Sequence, residues 1–190
     1  MSKTQSPRTL FSADLHLNHA GVISMCARPF ADVREMNTCL IDAWNSRVRP
    51  ADTVWFLGDF AMGASPAECQ AFFGRLNGTK HLVRGNHDKP RVLDLPWASQ
   101  HDLVQVTVDG VRLFLCHYAA RAWPGVWRGA IHLYGHTHGT LPPTRQSCDV
   151  GVDAWAYRPV TLDEIRERLA GVEEQPEEIA RARALEAGGE

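Results

Sequence analysis

Apolar residues recur along this chain as short runs, each cut off by a polar residue and a turn former. Thr9-Leu10-Phe11-Ser12-Ala13 stops at Asp14, and Thr53-Val54-Trp55-Phe56-Leu57 stops at Gly58-Asp59. Leu82-Val83 runs into Gly85-Asn86-His87-Asp88, Leu113-Phe114-Leu115-Cys116 into His117, and the segment from Ala130 to Tyr134 into Gly135-His136-Thr137-His138. Such bounded runs predict buried strands. Two intervening stretches have helical spacing instead. Met36, Leu40, Trp44 and Val48 recur once per turn and predict a helix from Val33 to Val48, ended by Pro50. Ser65, Pro66 and Glu68 predict a capped helix start, with Cys69, Phe72, Phe73 and Leu76 as its core face and Asn77-Gly78 as its stop.

Asp109-Gly110 lies between two β-rich segments, from Leu103 to Val108 and from Val111 to Cys116, and predicts a tight hairpin. Asp149, Val150, Val152 and Asp153 predict a last strand, and Thr161 with Glu164 predicts the cap of a helix from Leu162 to Leu169. Strands alternating with helices, plus one hairpin, predict an α/β domain with mixed sheets over residues 1–172. The remainder, 173–190, is a polar tail rich in Ala, Glu and Arg, helical at most and not expected to supply site residues.

The totals narrow the partners. Hydrophobic content of 44%, charged content of 22% and six Trp place the 190-residue chain among soluble globular proteins, with room for one sizeable core. A net charge of -2 leaves no basic footprint to favour a long nucleic acid. Cys26, Cys39, Cys69, Cys116 and Cys148 are odd in number and lack paired short spacing, so they indicate neither a disulfide framework nor a thiolate zinc site and read as small core residues. No apolar run is long enough to span a bilayer and Met1 to Arg8 has no apolar signal core, so the expected address is the cytoplasm, without a membrane partner.

What the strands deliver is a set of oxygen and nitrogen donors: Asp14, His16, Asp59, Asn86, His117, His136 and His138. Carboxylate, amide and imidazole without thiolate suit borderline or harder divalent cations. Each alone has an ordinary reading, since Asp14 or Asp59 can cap a turn and asparagine, glycine and aspartate are common turn formers. His81, His101 and His132 are read as surface or core residues, and His19 as either a contact near the site or a solvent-facing loop residue. Taken in order, the five motifs resemble the calcineurin-like metallophosphoesterase superfamily, over about Thr9 to Tyr157.

The resemblance implies a layered sandwich of two mixed β-sheets flanked by helices. It also implies two divalent metal ions, with manganese favoured and iron or zinc as other occupants. Asp14, His16, Asp59 and His138 would hold one ion, and Asp59, Asn86, His117 and His136 the other. A water shared by the two ions would attack phosphorus in line, with His87 as the acid for the leaving oxygen and Asp88 orienting the His87 ring. The loop from Tyr118 to Gly129 carries Tyr118, Arg121, Trp123, Trp127 and Arg128. These residues suit a nucleobase and its phosphate, or else pack against one another. The expected activity is hydrolysis of a small phosphodiester, such as a nucleotide. A phosphomonoesterase, a nuclease and a non-catalytic binding protein of the same fold are the alternatives.

Overall fold

The computed structural model describes residues 6–188. Strands β1 (Thr9–Ser12), β2 (Thr53–Phe56), β3 (Thr79–Val83) and β4 (Ser99–His101) are parallel neighbours in a five-stranded sheet, and β9 (Val160–Thr161) is added antiparallel to β1. The second sheet has the order β5 (Leu103–Val108), β6 (Val111–Cys116), β7 (Ile131–Tyr134), β8 (Ser147–Asp149). Its first pair is antiparallel and the other two are parallel. Both sheets are thus mixed.

Strand alternation divides the core into two layers. Leu10, Val54, Phe56 and Leu82 face a cluster completed by helices α1 (Ala20–Met25), α2 (Val33–Arg47), α3 (Pro66–Arg75) and α4 (Pro90–Leu93). Phe11, Leu57 and Val83 point the other way and meet Leu113, Leu115, Leu133 and Cys148 of the second sheet. Helix α5 (Leu162–Ala170) closes this inter-sheet layer with Leu162, Ile165 and Leu169. The predicted stripe Met36, Leu40, Trp44 and Val48 is buried, and the Trp44 indole donates to the Asn77 carbonyl at 3.0 Å. Both predicted capping boxes form, at Ser65/Glu68 and at Thr161/Glu164. Asp109 and Gly110 adopt φ 47° and 79°, the left-handed pair that a two-residue hairpin turn requires.

Two expectations change. The last strand ends at Asp149 rather than reaching Asp153, because the Gly151 N–H turns back onto Asp149 Oδ1 at 2.6 Å and Val152–Ala154 winds into a short 3-10 turn. The tail is also more than a polar appendage. Helix α6 (Glu177–Ala187) buries Ile179 against Phe114, Trp123 and Val126 on the outer face of the second sheet.

Glu164 gives this frame an acid-sensitive joint. Its carboxylate accepts from the Thr161 backbone N–H at 2.9 Å and from Arg158 at 2.8 Å, and pairs with Arg47 of α2. Burial works against the charge, but these donors outweigh it and hold the carboxyl near 2, below its ordinary 4.5. A depressed folded-state value means the contribution is complete above 4.5 and is lost as pH falls towards 2. Glu164→Gln should therefore cost about 1–2 kcal/mol at pH 7, with a difference that closes between these limits in urea unfolding. A difference independent of pH would show that the charge contributes nothing.

Candidate metal centre

Parallel strands end at the same edge of a sheet, and here the C-terminal ends of β1, β2, β3, β6 and β7 open onto one place. This is where a α/β sheet ordinarily holds its ligand. The loops are knitted to each other by backbone bonds: Asp14 N–H to the Gly58 carbonyl at 2.9 Å, His16 N–H to the Asp59 carbonyl at 3.0 Å, and Gly135 N–H to the His117 carbonyl at 3.0 Å. Asp14, His16, Asp59, His136 and His138 all have positive φ, between 48° and 67°. Each such residue costs on the order of 1 kcal/mol, and a concentration of them in one cleft marks a site whose geometry is imposed by its surroundings.

Close approach of the loops depends on glycines, Gly85 and Gly135 among them. A Cβ at Gly85 would fall on the Asp59 carboxylate and 2.6 Å from the Asp59 nitrogen. One at Gly135 would lie 2.7 Å from Asp14 Oδ2. Asp88, expected to orient the His87 ring, is engaged elsewhere. Its Oδ2 accepts from Asp59 N–H at 3.0 Å and Gly85 N–H at 2.8 Å, and its Oδ1 from Phe60 N–H at 3.0 Å. It is a buried clasp between the loop of Asp59 and the loop of Asn86 and His87, since backbone N–H groups out of water need an acceptor more than a half-exposed ring does.

The donors form two groups. Ligating atoms of Asp14, His16 and His138 lie within 4.8 Å of one another, as do those of Asp59, His117 and His136. Asp59 Oδ2 sits between the groups, 3.5 Å from His16 Nε2 and 3.4 Å from His117 Nε2. Its other oxygen accepts the His87 backbone N–H at 2.8 Å. His117 Nδ1 lies 2.7 Å from the Leu57 carbonyl, which can only accept, so Nδ1 carries the hydrogen and a neutral ring turns a bare Nε2 towards Asn86 Oδ1 at 3.1 Å. In that neutral form Asp59 Oδ2, His117 Nε2 and Asn86 Oδ1 are three acceptors facing one another, whereas a protonated ring donates from Nε2 towards Asp59. His138 is fixed similarly, Nδ1 lying 2.7 Å from Asp153 Oδ2.

In the first group, Asp14 Oδ1 and both His16 ring nitrogens are buried without a hydrogen-bond partner among the described residues. Burial pushes the Asp14 carboxyl up to about 8 against the pull of the His117 and His138 rings, and pushes His16 down to about 3. His117 moves the other way: burial opposes its charge, yet the bond to Asp59 outweighs it and raises the ring to about 9. Buried polar atoms without partners, here Asp14 Oδ1 and the two His16 ring nitrogens, are costly as a purely protein arrangement. Divalent cations at these two groups fit it.

Sequence reasoning missed two supports. Arg28, 3% exposed, grips Asp153 with two bonds of 2.8 Å and donates to the carbonyls of Leu15 at 3.0 Å and Asp14 at 2.7 Å. Asp153 in turn fixes His138, a carboxylate–histidine relay of the kind that orients metal ligands. A lone arginine in a loop has no periodicity to betray it, and the apolar spacing around Asp153 predicts a strand rather than a turn. His19 lies beside the site, its ring 5.4 Å from that of His16, while His81, His101 and His132 make their contacts elsewhere.

The loop after His117 divides. Tyr118 is exposed, with its ring 4.8 Å from that of His136 and 5.1 Å from that of His117. Trp123 is 5% exposed and donates to the Ala130 carbonyl at 2.9 Å, so it is packed rather than free to stack in the open. Arg121 pairs with Glu177, and the exposed Trp127 donates to Glu178 at 2.7 Å, both in the tail helix.

The donors, the fold and the loop order together define a class, and comparison with known proteins agrees. The model of the calcineurin-like phosphoesterase superfamily domain matches residues 10–150, and the chain belongs to that superfamily of metal-dependent phosphoric ester hydrolases. An uncharacterised protein of Methanocaldococcus jannaschii is 34% identical over 159 residues, covering 80% of this chain and 85% of its own length. The gene 66 protein of Mycobacterium phage D29 is 33% identical over 199 residues, covering 86% and 96%. A crystal structure of a protein of unknown function from Aquifex aeolicus shares the fold with a TM-score of 0.68 at 21% identity, over 86% of this chain and all of that one.

Proposed function

We propose that this phosphoesterase is dinuclear and hydrolyses a small phosphodiester, with a nucleotide as the preferred type of substrate. The observation that carries the reading is the placement of Asp59 Oδ2 within 3.5 Å of both His16 Nε2 and His117 Nε2, where the two carboxylate–imidazole groups meet. Asp14, His16, Asp59 and His138 would hold one ion, and Asp59, Asn86, His117 and His136 the other. When bound, the pair supplies Lewis acidity, lowering the pKa of a water and offsetting phosphoryl charge. Manganese suits the donor set best, with iron or zinc as other occupants.

The chain's own residues do the rest. The Leu57 carbonyl and Asp153 set the tautomers of His117 and His138, and the Asp88 clasp keeps the Asp59 and Asn86 loops at fixed separation. Water gives up a proton to solvent as its oxygen forms the new bond to phosphorus, the bond to the leaving oxygen breaks, and His87 delivers a proton to that oxygen and regains one from solvent.

Net charge of -2 argues against a long nucleic acid. Elemental analysis combined with a screen of phosphomono- and diesters in added manganese tests the reading. Two ions per chain and faster turnover of small diesters are expected. Metal content near zero with chelator-resistant activity would end the dinuclear reading, and preference for monoesters would end the diester one.

A further inference from the structure

Behind the loop that follows His117 lies a cavity of ≈190 Å³, walled by Trp123, Leu141, Pro142 and Pro176. Tyr134 lines it as well. That side chain is 1% exposed, and its hydroxyl has no hydrogen-bond partner among the described residues. A phenol hydroxyl removed from water and left unpaired is costly, and native interiors rarely keep one without a purpose. The surrounding polar groups do not relieve it: Thr144 and Ser147 bond each other at 2.7 Å, while the neighbouring His132 uses both ring nitrogens on the Phe114 carbonyl and the Ala120 N–H. Arg121 and Glu177 at the cavity's edge neutralise one another.

We infer that this cavity is a subsite for an uncharged heteroaromatic ring, which accepts or donates one hydrogen bond at the Tyr134 hydroxyl. Apolar walls and a cancelled charge pair select a neutral group, and a volume below the roughly 300–1,000 Å³ of drug-sized sites admits one small ring system. Two of the cavity's walls continue in sequence into the loops of the metal centre. Ala119 and Tyr134, both lining residues, are each two positions from a candidate ligand, His117 and His136. The ring is therefore assigned to the ester's organic group, such as a nucleobase; this assignment to substrate rests on the phosphoesterase reading, whereas ring binding as such does not.

Titration of the full-length protein with adenosine and uridine, followed by amide shifts of residues 119–121 and 141, tests it without any hydrolysis. Saturable binding is expected, weakened about two- to tenfold in Tyr134→Phe, the worth of one neutral hydrogen bond. Leu141→Trp, made at a half-exposed wall, should fill the cavity and abolish binding. Toluene, which can neither donate to nor accept from the Tyr134 hydroxyl through a heteroatom, serves as the control and should bind both the parent and Tyr134→Phe alike. No saturable nucleoside binding overturns the inference. So does binding equal in the parent and both variants, the result expected if only a buried water satisfies Tyr134. Should Tyr134→Phe fail to fold, Leu141→Trp decides alone. Turnover of an aryl diester by the metal-loaded protein, measured in parallel, shows separately whether the phosphoesterase reading stands.

Discussion

His87→Ala should retain the divalent metal of the parent protein and lose about 10²- to 10⁴-fold in kcat, roughly 2.7–5.4 kcal/mol of transition-state stabilisation. His87 is half-buried beside the donors without belonging to either group, its ring 5.4 Å from that of His16, while its backbone N–H anchors it to Asp59 Oδ1. Removing the imidazole leaves that anchor in place, so the metal shell should survive. Asp59→Asn is the contrasting variant. It removes the one anionic oxygen that faces both His16 and His117, and should lower metal content as well as turnover. Metal analysis and kinetics on the same preparations separate the two roles. Equal metal loss in both variants would show that His87 is a structural neighbour of the centre and not its acid.

Arg28→Ala should destabilise the protein by about 3–5 kcal/mol, the usual cost of leaving one partner of a buried ion pair alone. The substitution strands Asp153 beneath the site and frees the carbonyls of Asp14 and Leu15, on the very turn that carries Asp14 and His16. Burial works against the Asp153 charge, and His138 and Arg28 together hold its carboxyl below the ordinary carboxylate value; without Arg28 only His138 remains. Metal affinity should fall along with stability, because His138 is oriented by Asp153. Arg28→Lys, which restores charge but not the two-pronged grip, should recover part of each loss. Urea unfolding together with metal titration reads both quantities. A loss under about 1 kcal/mol would mean that Arg28 is not the anchor of this corner.

The local elements and the donor residues were legible in the sequence because each leaves a short-range signature. Met36, Leu40, Trp44 and Val48 recur once per helical turn, Ser65 and Glu68 close a box three residues apart, and Asp109-Gly110 can hardly be anything but a turn. The strand-then-polar-residue pattern that pointed to Asp14, Asp59, Asn86, His117 and His136 is equally local. Elements whose support comes from distant chain were not legible. The two-residue strand β9 exists because β1 offers it an edge, and Ile179 turns a weakly amphipathic tail into a docked helix only because Phe114 and Trp123 wait beneath it.

The sequence by itself determined which donors exist and that they stand at strand ends, since alternation and turn chemistry act over a few residues. Only the tertiary structure decided which donors face one another, that Asp88 clasps loops, that Arg28 and Asp153 stand behind His138, and that Trp123 is packed rather than open. Those outcomes depend on groups from 7 to 125 positions apart finding partners once water is excluded. No periodicity records such a partnership.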